Sequence, residues 1–218
     1  MMKNITVKTY NSIAKKYQEI FQDDFSEKKY YDKFLKIING KKILDIWSWI
    51  WIYTNYIYEQ NFDILGIDFS DEMLKIAKKR YPNISFLKME ITDIQLNDKY
   101  DGIVCANSLF HIKKSDINKV LNKFYELLVP EGKILFILLS WQGEWFQKEP
   151  LNENLLTFVN FYSMNEFSEI LNKVWFSVIY ENIETVNNSW ELWHNKMVFI
   201  AKKTSSKSNY QNEQSTSP

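Results

Sequence analysis

Ile43-Leu44-Asp45-Ile46-Trp47-Ser48-Trp49-Ile50-Trp51 is the stretch on which the rest of the chain turns. Its first half is a short apolar run ending at a carboxylate, as expected of a buried strand. The second half must turn at once, because Tyr53, Ile57 and Tyr58 then recur at helical spacing. A strand that stops at an acid and reverses tightly into a helix builds a cradle for a nucleotide. Such a turn needs main chain that tolerates positive φ and lets a ligand approach closely, which is the work of glycine. Here tryptophan holds the alternate positions 47, 49 and 51.

Outward from this stretch, strand and helix alternate. Strands are read at 43–46, 63–68, 84–89, roughly 100–106, 133–139, near 176–185 and at 196–202. Ser70 caps a helix whose first turn carries Asp71 and Glu72. Ile117, Val120, Leu121, Phe124, Leu127 and Leu128 form one helical stripe. Ser163 and Glu166 make a capping box. Residues 1–40 read as two helices, forming an N-terminal helical lid. Residues 41–203 form the core, and the polar tail 204–218 is expected to be disordered. The pattern predicts an α/β fold: a Rossmann-like, doubly wound, mostly parallel seven-stranded sheet with an antiparallel edge strand and helices on both faces. The stretch 140–146 reads as a loop after a strand, and the segment 140–162 holds Glu144, Phe146, Phe158, Phe161 and Tyr162, enough for a pocket.

With glycine written at 47, 49 and 51, the opening stretch becomes I-L-D-I-G-S-G-I-G-I-Y-T. It then resembles the first motif of class I S-adenosylmethionine-dependent methyltransferases, and the resemblance extends over roughly residues 10–203. It implies S-adenosylmethionine as cofactor and methyl transfer to a small-molecule acceptor. By the same resemblance Asp45 would orient the methionine amino group, and the main chain at Trp47 and Trp49 would touch the methionyl part. Asp68, 23 residues after Asp45, would accept both ribose hydroxyls. Phe69 and Met73 would flank ribose and adenine, Met73 reading equally as core. Glu90 and Ile91 would read adenine, with Asp93 as an alternative acid. Asn107 would lie near the methionine part, and Tyr17 would lie over the cofactor or simply pack. His111 is the candidate general base, or else a structural histidine. Transfer from a sulfonium often needs no base, because alignment supplies much of the rate.

A nicotinamide dinucleotide site would need G-x-G-x-x-G, whereas restored glycines give G-x-G-x-G after an acid. The remaining rival is a non-catalytic Rossmann-like binding or scaffold domain with an occluded cradle, the default if the indoles are genuine.

Composition bears on that choice. The chain has 218 residues, with 8 Trp but only 5 Gly, where about 15 Gly are usual. Trp175 stands where a helix should end on glycine, and Trp141, Trp145, Trp190 and Trp193 fall in expected loops. Most or all eight are therefore expected to be glycine in the cell's own protein, as from a code in which UGA specifies glycine. The net charge is zero, which favours neither nucleic acid nor an anionic membrane. One cysteine excludes an internal disulfide and fits a reducing compartment. Two histidines make a zinc site poor. No signal region or membrane span is read, so a cytoplasmic monomer or homodimer is expected.

Overall fold

The computed structural model describes residues 2–47, 51–185 and 195–205. The expectations for Trp49, Trp190, Trp193 and the tail beyond residue 205 lie outside them. Two helices, α1 (Met2–Phe21) and α2 (Lys28–Leu35), precede an alternating core. That core runs β1 (Lys42–Ile46), α3 (Ile52–Glu59), β2 (Asp63–Asp68), α4 (Asp71–Arg80), β3 (Ser85–Lys88) and β4 (Tyr100–Ala106). It continues with α5 (Ile117–Leu127), β5 (Leu128–Ser140), β6 (Gly143–Glu149), β7 (Asn152–Phe161), α6 (Met164–Lys173), β8 (Phe176–Glu184) and β9 (Asn195–Lys203).

Seven strands form one sheet in the order β3-β2-β1-β4-β5-β9-β8. Strands β1 to β5 pair in parallel, and β9 pairs antiparallel with both β5 and β8. The direction in which strands are added reverses between β1 and β4, and clefts form there at the carboxyl ends of such strands. Both faces are covered. Successive residues of one strand feed opposite layers: Leu135 and Ile137 join the apolar layer under α1 to α4, while Ile134, Phe136 and Leu138 join the layer under α5 and α6. This double burial is why Lys133 to Leu139 is an unbroken apolar run rather than an alternating one.

The helix caps agree with their sequence signals. Ser70 Oγ accepts from the Met73 amide at 3.2 Å, and Ser163 with Glu166 closes a reciprocal box. Of the expected loop 140–146, residues 143–146 instead open a separate antiparallel hairpin, β6–β7, reversing at Pro150-Leu151. Its inner residues Thr157 to Phe161 are buried, and α1 lies along it, with Thr9 Oγ1 donating to the Leu156 carbonyl at 2.7 Å. The hairpin packs on α1 and on the loop after β4 instead of lying within the main sheet, which is why no alternation set by the sheet is legible there.

Glu27 staples the start of α2 to the core. Its carboxylate pairs with Lys196 of β9 at 2.7 Å, both side chains being under 10% exposed. The same oxygen accepts from Asn107 Nδ2 at 3.0 Å, and the Glu27 amide donates to the Tyr53 hydroxyl of α3 at 2.7 Å.

Candidate functional site

The carboxyl ends of β1 to β4 deliver the candidate residues to one region. Asp45 and Asp68 sit on neighbouring parallel strands, with Asp45 opposite Gly66 and Asp68 two residues further along. Both are buried, at 0% and 5% exposed. Thr54 of α3 donates its hydroxyl to Asp45 Oδ2. The Ser70 amide donates to Asp68 Oδ1 at 2.7 Å. Burial raises Asp68 to about 7, against the pull of the Ser70 and Phe69 amides, and the charges of Asp45 and Glu90 push the same way. Asp68 is therefore an acid that gains from hydroxyl donors reaching its carboxylate.

A cavity of about 470 Å³ opens beside these ends, walled by Trp47, Phe69, Glu90, His111 and Phe158, with Thr6 and Val7 of α1 across it. That is ample for a nucleoside-sized ligand. Tyr17 and Asn107 line a second, smaller cavity that shares His111 with the first. Asp45, Asp68, Met73 and Ile91 are buried and are not on the wall of the large cavity. Met73 packs in the layer under α1 to α4, and Ile91 in the opposite one. Asp93 is exposed and lines a separate surface depression.

His111 is held in one tautomer. Its Nδ1 lies 2.7 Å from the Phe158 carbonyl oxygen, which can only accept, so Nδ1 carries the proton. Its Nε2 then accepts from the Tyr10 hydroxyl at 2.8 Å. Burial lowers His111 to about 4, so the ring is neutral at pH 7. Its lone pair reaches a ligand only through Tyr10.

The turn after β1 is where the sequence and its backbone conflict. Trp47 and Trp51 adopt φ of 55° and 60°, and Trp175, at the end of α6, adopts 69°. These are left-handed values that a Cβ makes costly, by roughly 1–2 kcal/mol each. Among the described residues six non-glycines have positive φ, and three are tryptophans; two others are asparagines, Asn61 and Asn107, which tolerate the region. Trp47 is 7% exposed and packs edge-on against Phe69 at 4.3 Å, and Trp51 is 1% exposed against Phe86 at 4.7 Å. Both indole Nε1 groups are buried with no hydrogen-bond partner.

Several wall residues carry no signal in the sequence: Thr6, Val7 and Thr92, with Glu149 in the smaller cavity, whereas Phe158 of the expected pocket segment is on the wall. Thr6 and Val7 come from α1, Thr92 from the turn after β3 and Glu149 from the hairpin, and no local pattern announces how these dock. Among the described residues no cluster of metal-ligating side chains occurs. No helix among them is long and apolar enough to cross a membrane.

Residues 51–132 match the model of a methyltransferase domain family. An uncharacterized methyltransferase of Alkaliphilus oremlandii is 26% identical over 100 residues, 46% of either chain. One of Oceanobacillus iheyensis is 22% identical over 182 residues, 82% of this chain and 78% of that one. The chain spans about half the length of the first curated relatives it matches. Among solved structures, the 1,6-didemethyltoxoflavin-N1-methyltransferase of Burkholderia thailandensis, bound to its substrate and S-adenosylhomocysteine, superposes with a TM-score of 0.72. It is 16% identical and is covered over 89% of its length by 93% of this chain.

Proposed function

We propose that this chain, which has the fold of the class I S-adenosylmethionine-dependent methyltransferases, binds that cofactor and directs its methyl group to a small-molecule acceptor. The observation that carries the reading is that Asp45 and Asp68 close the adjacent strands β1 and β2, next to the β1–β4 switch point of the sheet and beside a cavity of about 470 Å³. In this reading Asp68 takes the ribose hydroxyls, Phe69 and Glu90 flank the base, and Asp45 serves the amino group. When bound, the cofactor supplies a methyl already activated on sulfonium sulfur.

The acids suit that ligand, and one side chain does not. The indole of Trp47 is folded into the turn whose bare main chain the methionyl part would need, in left-handed backbone and with its N–H unsatisfied. We therefore propose that glycine stands at 47, 51 and 175, and at most or all of the eight positions, in the polypeptide the source cell makes. A chain with indoles there corresponds to the alternative, a non-catalytic scaffold with an occluded cradle. Tandem mass spectrometry of the cell's own protein decides residue identity. Calorimetric titration of S-adenosylhomocysteine into the glycine form decides function: micromolar binding that Asp68→Asn weakens at least tenfold supports the enzyme, and no binding at millimolar ligand refutes it.

A further inference from the structure

The smaller cavity carries no tryptophan on its wall, so its chemistry is independent of the glycine question. It lies against His111, the residue it shares with the larger cavity, and is walled by Tyr10, Tyr17 and Phe21 of α1 and by Glu149 at the hairpin turn. Its volume of about 80 Å³ has room for roughly five to eight heavy atoms at one water-sized sphere each.

Glu149 is the residue that needs explaining. It is 4% exposed. Its carboxylate accepts one backbone hydrogen bond, from Leu151 at 3.3 Å. No lysine, arginine or histidine among the described residues forms an ion pair with it; nearby Lys16 spends its ammonium on the Leu151 carbonyl at 2.6 Å. A buried carboxylate without a cation is costly unless one is brought to it. The rings around it are the kind that receive a cation. Tyr10 and Tyr17 meet edge-on with centroids 6.0 Å apart, and Tyr17 and Phe21 lie at 4.7 Å. Tyr10 donates its hydroxyl hydrogen bond to His111 Nε2, so its oxygen keeps lone pairs for an incoming N–H.

We infer that the methyl acceptor is a small primary or secondary amine, seated in this cavity as its ammonium ion against Glu149 and the Tyr10, Tyr17 and Phe21 rings. This deepens the methyltransferase reading and rests on it. An ammonium nitrogen has no free electron pair. On passing one proton to the Glu149 carboxylate, the amine keeps the pair of the broken N–H bond and Glu149 becomes a neutral acid. The nitrogen then lies beside the His111 wall that borders the larger cavity.

The test needs no cofactor, so it separates from the S-adenosylhomocysteine titration above. Propylammonium chloride, 1-propanol and sodium propionate are titrated into the full chain by ligand-observed NMR. Propylammonium is expected to bind at least tenfold tighter than the isosteric alcohol, with propionate excluded. Glu149→Gln should erase the preference and Glu149→Asp should keep it, melting curves confirming that each variant is folded. Equal binding of ammonium and alcohol to the unaltered chain overturns the inference without recourse to any variant. So does a folded Glu149→Gln protein that still prefers the cation.

Discussion

Replacing Trp47 by glycine should do two things that core substitutions do not do together: leave stability almost unchanged and create a binding site. Truncating a buried tryptophan ordinarily costs about 3–5 kcal/mol, and Trp47 is 7% exposed. Against that stand two costs the indole imposes on the folded state. A left-handed backbone at φ 55° costs a Cβ-bearing residue about 1–2 kcal/mol. A buried Nε1–H without an acceptor costs about 1–3 kcal/mol. The sums nearly cancel at their midpoints, so Trp47→Gly is expected to lower unfolding free energy by about 1 kcal/mol, and by about 3 kcal/mol at the extreme of these ranges. Urea denaturation of parent and variant measures this from the midpoints at constant slope. Phe167→Ala serves as the ordinary case, its ring being 0% exposed, and should lose about 3–5 kcal/mol. Calorimetry with S-adenosylhomocysteine reads the second effect: no heat from the parent and micromolar affinity, about 8 kcal/mol, from the variant. A Trp47→Gly protein as damaged as Phe167→Ala, or one that binds no better than the parent, refutes the claim that this indole is a misfit in a ligand cradle.

Three further outcomes follow from the same structure. Trp175→Gly should stabilise by up to about 1 kcal/mol, because φ 69° at the end of α6 suits glycine and the indole is only half-buried; a lowered melting temperature contradicts this. In the glycine form, S-adenosylhomocysteine affinity should weaken up to tenfold per pH unit below Asp68's value of about 7, because the bound hydroxyls want the carboxylate. Calorimetry at pH 6 in buffers of different ionisation enthalpy should then show proton release, and Asp68→Asn should show none. Stability should carry two opposed pH slopes. His111, lowered to about 4, loses stability as pH falls from about 6.5, because the unfolded chain protonates first. Asp68, raised to about 7, gains stability over the same fall, because the folded chain holds its proton longer. Urea unfolding at pH 5 and pH 7 should show Asp68→Asn weakening in acid by more than the parent and His111→Gln by less; identical slopes in all three contradict the assignment.

The parallel core was legible because each buried strand announces itself. Ile64 to Asp68 and Tyr100 to Ala106 are short apolar runs bounded by polar residues, and Ser70 and Ser163 mark helix starts by chemistry that acts within three residues. Asp45 and Asp68 were legible for a related reason: a carboxylate closing a buried strand is expensive, so it stands out. The hairpin was not. Residues 143–149 are mostly exposed, and 157–161 are buried on successive positions by α1 and the loop after β4, so no period of two survives to be read. Glu149 inherits that obscurity. It lies 38 residues beyond Tyr10's partner His111 in sequence, and only the docking of α1 on the hairpin brings Tyr10, His111 and Glu149 to one cavity. Trp47, Trp51 and Trp175 show the converse: composition marked them as anomalous, but only backbone angles say which of the eight sit where a side chain is strained.

Glu27, held at once by Lys196, Asn107 and Tyr53, pins the chain at the threshold of α2. Upstream of that pin, α1 is moored to the hairpin by Thr9 and to Ser70 by Asn11, at 2.7 Å each, and buries Ile13, Ala14 and Tyr17. Both chambers thereby share α1 as one wall, so a change anywhere along that helix is felt in each of them.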